Sequence, residues 1–160
     1  MHTKGTLSMA ALVVTFMLII PPAGAVEYDM TQCDSGTSNV LFASEKITIY
    51  AFEMKGITRS NTQDKTFDNA TYHCVGINQI VDKNVISRGN CKFQAPDGSI
   101  HVGEFSGKNY EGTWKFLYGT GRFEGIEGGG PYKTITASKP ITPGTFQKCD
   151  RVTGTFTVGK

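Results

Sequence analysis

Between Gly112 and Tyr132 the chain reads GTWKFLYGTGRFEGIEGGGPY, a stretch that few folds accommodate. Trp114, Phe116 and Tyr118 alternate along a strand, and Gly119-Thr120-Gly121 makes a corner. Phe123 and Ile126 anchor the turn that follows, and Gly128, Gly129 and Gly130 open the next strand. Glycine at this density belongs where a sheet bends hard or another backbone comes close. The expected outcome is a small closed β-barrel whose curvature is set at this corner.

Elsewhere the chain keeps the same period-two habit. Asn39 to Ala43 is expected as a short first strand and Lys46 to Thr58 as a long one. The long strand is apolar on both faces, with Ile47, Ile49 and Ala51 on one and Tyr50, Phe52 and Met54 on the other. Two explanations stand open: a loop or terminus covers the second face, or it is a subunit interface of a homo-oligomer. After the polar loop Arg59 to Asn69, Thr71 to Val81 and Val85 to Gln94 form a hairpin, and Pro96-Asp97-Gly98 turns the chain into Ser99 to Ser106. There Ile100, Val102 and Glu104 share one face, and His101 and Phe105 the other. Further strands are expected at Gly112 to Tyr118, Tyr132 to Thr136, Gly144 to Cys149 and Val152 to Val158. Val26 to Ser38 is polar and is expected as an ordered lead-in tied down through Cys33. No segment after residue 25 holds a helical period over three turns. About eight short strands with this patterning predict an all-β fold, a small closed antiparallel barrel.

The first 25 residues have a different character. Lys4, the apolar run Met9 to Ile20, Pro21-Pro22 and the small residues Ala23-Gly24-Ala25 have the layout of a signal peptide cleaved after Ala25. The apolar run is shorter than the roughly 20 residues a membrane span needs, so no span is expected after cleavage. The expected division is a signal peptide over residues 1–25 and one barrel domain over residues 26–160, exported to a periplasm or secreted. Cys33, Cys74, Cys91 and Cys149 all lie in the second part, and an even count in an exported chain predicts two disulfides. First and last strands are neighbours in an up-and-down barrel, which suits Cys33 with Cys149 and leaves Cys74 with Cys91. Against this, the alternation sets Cys74 opposite in phase to Val75 and Ile77 and puts Cys91 with Phe93. A register shift or bulge is therefore expected if the second pair forms, and the pairing stays open.

The chain carries 16 basic and 14 acidic residues with no clustered run, so neither nucleic acid nor an anionic membrane is an expected partner. No cofactor motif survives inspection. Gly154 to Lys160 has phosphate-loop spacing without the Ser/Thr and helix that must follow, and Glu124 stands where a dinucleotide fingerprint needs its third glycine. His73 and His101 have no metal-binding residue at ligand spacing, so no metal site is expected. No serine sits in a recognisable nucleophile setting, and no catalytic residue is assigned. Trp114, Phe116 and Tyr118 are expected inside the barrel, as core or as the lining of a ligand cavity. Glu104 joins them as a candidate lining residue, because a carboxylate on an interior face has to be paired, hydrated or functional.

The corner Gly119 to Gly128, G-T-G-x-F-x-G-x-x-G behind an aromatic-rich strand, resembles that of the allene oxide cyclase-like barrels and the related dirigent proteins. The longer run from Cys74 through Cys91 to Cys149, with GTWKF and PGTFQ, is similar to a set of uncharacterised exported bacterial proteins. The resemblance implies an eight-stranded antiparallel barrel with a central cavity, sometimes in dimers or trimers. The plant relatives guide a reactive apolar intermediate inside that cavity.

Three functions are therefore expected of such a chain. The first is a disulfide-stapled barrel that binds a small apolar ligand or a protein partner and does no chemistry. The second is a cyclase or isomerase working on a hydrophobic intermediate, which needs a buried, partnered carboxylate, Glu104 or Glu53. The third is a structural or inhibitory exported protein acting through its surface.

Overall fold

Eight strands close on themselves in chain order, each antiparallel to its neighbours, in a computed structural model that describes residues 24–159. They are β1 (Val26–Ala43), β2 (Ile47–Ser60), β3 (Thr71–Val81), β4 (Asn84–Gln94), β5 (Ile100–Lys108), β6 (Glu111–Gly119), β7 (Glu127–Ser138) and β8 (Thr145–Thr157). The barrel closes where β8 pairs with β1, from Val26 opposite Phe156 to Thr37 opposite Thr145. The expected signal peptide falls almost wholly outside the described residues. The β3–β4 and β5–β6 hairpins turn on Asp82-Lys83 and Asn109-Tyr110, all four with positive φ, as tight two-residue connections require.

The first strand departs from expectation. Val26 to Ser38 is no lead-in: it is most of β1, and only its first inward residues, Tyr28 and Met30, are apolar. The next inward side chains are those of Gln32 and Asp34, both polar, so alternation fades although the strand continues. In the same way β8 runs unbroken through Asp150, where polarity suggested a gap between two strands.

Both disulfides join residues directly opposite one another. Cys33–Cys149 crosses the closing seam, and Cys74–Cys91 links β3 to β4. No shift or bulge is needed for the second pair. Cys74 faces inward with Tyr72, whereas Val75 and Ile77 lie outside, 52% and 46% exposed.

Inward-facing glycines carry an aromatic ring from a neighbouring strand. Tyr72 lies over Gly56, Phe52 over Gly76, Phe105 over Gly89 and Trp114 over Gly103. A methyl group at Gly76 would stand 2.5 Å from Phe52 Cζ, so these positions admit no side chain. Rings laid on bare backbone let strands curve tightly while the interior stays filled. At the glycine corner, Gly128 and Gly129 take φ of 116° and 150°, values that L side chains rarely adopt.

One end of the barrel is plugged. Phe67, from the β2–β3 loop, inserts among Tyr28, His101, Phe116, Phe123 and Phe156, with ring centroids 4.9–5.6 Å away. The loop is locked by Thr58, whose hydroxyl donates to the Phe67 carbonyl and whose backbone N–H donates to the Ala70 carbonyl at 2.9 Å.

Candidate functional site

The opposite half of the barrel is open. Its cavity, of about 510 Å³, lies within the range of small-molecule sites. Phe52, Phe105, Trp114, Tyr132 and Phe146 give it an aromatic wall, and all five rings lie against a glycine, Phe146 over Gly36 and Tyr132 over Gly107 and Gly112. Tyr50, Asn78 and Ser87 add a polar strip, with the Ser87 and Asn78 side chains hydrogen-bonded at 2.5 Å. Burial pushes the Tyr132 hydroxyl up to about 12, so that ring enters the cavity as a neutral phenol.

Between plug and cavity lies a charged layer. Asp34, Gly56 and Tyr72 are successive partners across β1, β2 and β3, and the missing side chain at Gly56 lets the Tyr72 ring cross over it. The Tyr72 hydroxyl donates to Asp34 Oδ2 at 2.9 Å. Lys148, opposite Asp34 in the closing seam, places Nζ 3.6 Å from the same oxygen and donates to Asp150 Oδ2. Thr134 donates to Asp150 Oδ1 at 2.6 Å. Burial holds the Asp34 carboxyl above the usual carboxylate range, with Lys148 and Tyr72 pulling the other way. Burial, reinforced by the neighbouring Asp34, raises the Tyr72 hydroxyl well above the ordinary phenol range. Lys148 and Asp150 line the cavity, and Asp34 sits behind them.

The residues singled out from sequence divide. Trp114 lines the cavity, and Phe116 is buried in the plug. Tyr118 is on the outer surface, 61% exposed, because Leu117 forms a bulge between the pairs Val102–Tyr118 and Gly103–Phe116 and reverses the phase of β6. Glu104 is also outside, opposite Lys115, since His101 and Gly103 define the inner face of β5. Glu53 lies on the outer surface too, 2.9 Å from Lys55 and 3.0 Å from His73. Neither glutamate can serve a reaction inside the barrel.

The interior carboxylates are instead Asp34 and Asp150, which the sequence reading passed over. The signal was available in the phase of β1: once Tyr28 and Met30 are placed inside, Asp34 must follow. Among the described residues, no three His, Cys, Asp or Glu side chains gather in a metal-holding group.

No family model matches the chain, and no curated protein does. Among solved structures, the barrel is similar to a pterocarpan synthase dirigent protein, GePTS1, at 11% identity and a TM-score of 0.55, over 88% of this chain and 91% of that one. At that identity the likeness concerns fold alone, and it agrees with the dirigent-like barrel that the glycine corner implied.

Proposed function

We propose that this protein is an exported, disulfide-stapled barrel that binds a small, largely apolar molecule in the open half of its interior. The observation that carries the reading is the aromatic-walled cavity closed at one end by the Phe67 plug. Two disulfides fit an oxidising compartment. A barrel of the same fold bears the name of a synthase for a small organic molecule, which supports an interior of this shape receiving one.

Trp114, the chain's single tryptophan, lines the cavity and serves as its reporter. A screen of apolar compounds, followed by Trp114 fluorescence and native mass spectrometry, is expected to give saturable shifts with one-to-one stoichiometry. If no compound is retained or perturbs Trp114, the reading falls.

A second reading, association between copies, is favoured by the outer face of β1 to β3. Phe42 pairs with Ile49 there and Ala51 with Ile77, leaving a continuous apolar strip outside. Light scattering should then show an oligomer that Ile77→Glu dissociates, and a wild-type monomer at high concentration would remove this reading.

A further inference from the structure

The floor of the cavity is charged, and burial of apolar surface does not account for it. Two carboxylates share it with one ammonium: the Asp34 side chain is fully buried, that of Asp150 is 7% exposed and that of Lys148 is 22% exposed. A well-packed apolar floor would be at least as stable as such a trio, so stability alone gives no reason for it.

Bonding capacity is unevenly used across the three. Asp150 is occupied on both oxygens, by Thr134 and Lys148. Asp34 accepts from Tyr72 and lies behind the lining. Lys148 has three N–H donors. Asp150 takes one and Asp34 Oδ2 stands 3.6 Å off, which leaves a donor for the cavity that Lys148 lines. Beside it is Gln32, directly across from Asp150 in the closing seam.

A ligand seated against Lys148 displaces the water around its ammonium and has to return an acceptor in exchange. A ligand carboxylate would return one, but would bring another negative charge against Asp34 and Asp150 at low dielectric. A hydrocarbon returns nothing. A neutral carbonyl oxygen supplies the acceptor without the charge.

We propose that Lys148, held between Asp34 and Asp150, recognises the neutral carbonyl oxygen of an otherwise apolar ligand and discriminates against the matching carboxylate. This deepens the small-molecule reading above and rests on it.

The test is a calorimetric series of three probes with one ring system: 2-ethylnaphthalene, 2-acetylnaphthalene and 2-naphthoate. The ketone is expected to bind about tenfold more tightly than the hydrocarbon, with the carboxylate weakest. Equal affinity for ketone and hydrocarbon, or tightest binding by the carboxylate, overturns the carbonyl assignment and leaves the cavity standing as a binding site. Binding of none of the three overturns both readings. Lys148→Met alone strands two buried carboxylates, so the variant to use is Lys148→Met with Asp34→Asn. Folded, it should bind the hydrocarbon as before and lose the preference for the ketone; a retained preference would remove Lys148 from the role. The wild-type series decides the proposal whether or not that variant folds.

Discussion

His101 offers the sharpest test of the plugged end. Its ring is 1% exposed, stacks on Phe93 at 4.5 Å and has no hydrogen-bond partner within the protein on either nitrogen. Burial, aided by the charge of Arg122, pushes its pKa down to about 3, against about 6.5 in an unfolded chain. The unfolded chain therefore takes up a proton that the folded chain refuses. The stabilising contribution is complete above the unfolded pKa, shrinks as pH falls below about 6.5, and is gone once pH passes the folded value. Between pH 7 and pH 4.5 this amounts to about 2–3 kcal/mol, a large share of a total of about 5–15 kcal/mol for a domain. Urea unfolding of wild type and His101→Phe at both pH values isolates it. Asp34 acts with opposite sign, because burial raises its pKa and the folded form binds that proton first, but it is present in both proteins and cancels. The phenylalanine variant should be at least as stable at pH 7, having no unpaired ring nitrogens, and should lose ~2–3 kcal/mol less on acidification. Equal losses in the two proteins would refute the burial of a neutral imidazole.

Three further outcomes follow from packing. Gly103→Ala would bring a methyl group against the Trp114 ring and within 2.5 Å of the Lys115 carbonyl oxygen. It should cost about 1–3 kcal/mol in urea unfolding and shift Trp114 emission, whereas Gly98→Ala, with nothing within 4 Å but φ of 85°, should leave Trp114 emission alone. Phe67→Ala removes the plug and should cost about 3–5 kcal/mol, with new binding of benzene-sized probes detected by calorimetry. Loss of Cys33–Cys149 by a double alanine substitution should cost about 1–2 kcal/mol more than loss of Cys74–Cys91, because the first bridge closes 116 residues of sequence and the second only 17. Thermal melts of the two double variants compare them directly.

Much of the architecture was legible in residue order. Alternation marked β2 to β6, Pro96-Asp97-Gly98 marked a turn, and the glycine run after Tyr118 marked the corner that bends the sheet. The candidate site was legible only in part, through Trp114. Its charged floor lies on β1 and β8, where the inward residues Gln32, Asp34, Lys148 and Asp150 are polar and the usual contrast between faces disappears. Tyr118 was misplaced because a bulge at Leu117 shifts phase by one residue, and nothing in the amino acids beside it announces the bulge.

The amino-acid order by itself determined that this chain makes strands, that they curl where glycines allow, and that four cysteines make two disulfides, whose pairing it left open. Closure decided the rest. Period two divides side chains into two faces without saying which is inner, and β2 is apolar on both. Only when β8 meets β1 does one face enclose a volume. That choice turns Asp34, Lys148 and Asp150 inward as a charged layer and leaves Glu53, Glu104, Val75 and Ile77 outside. The reason is physical: inside and outside are properties of a closed surface, and no single strand has one.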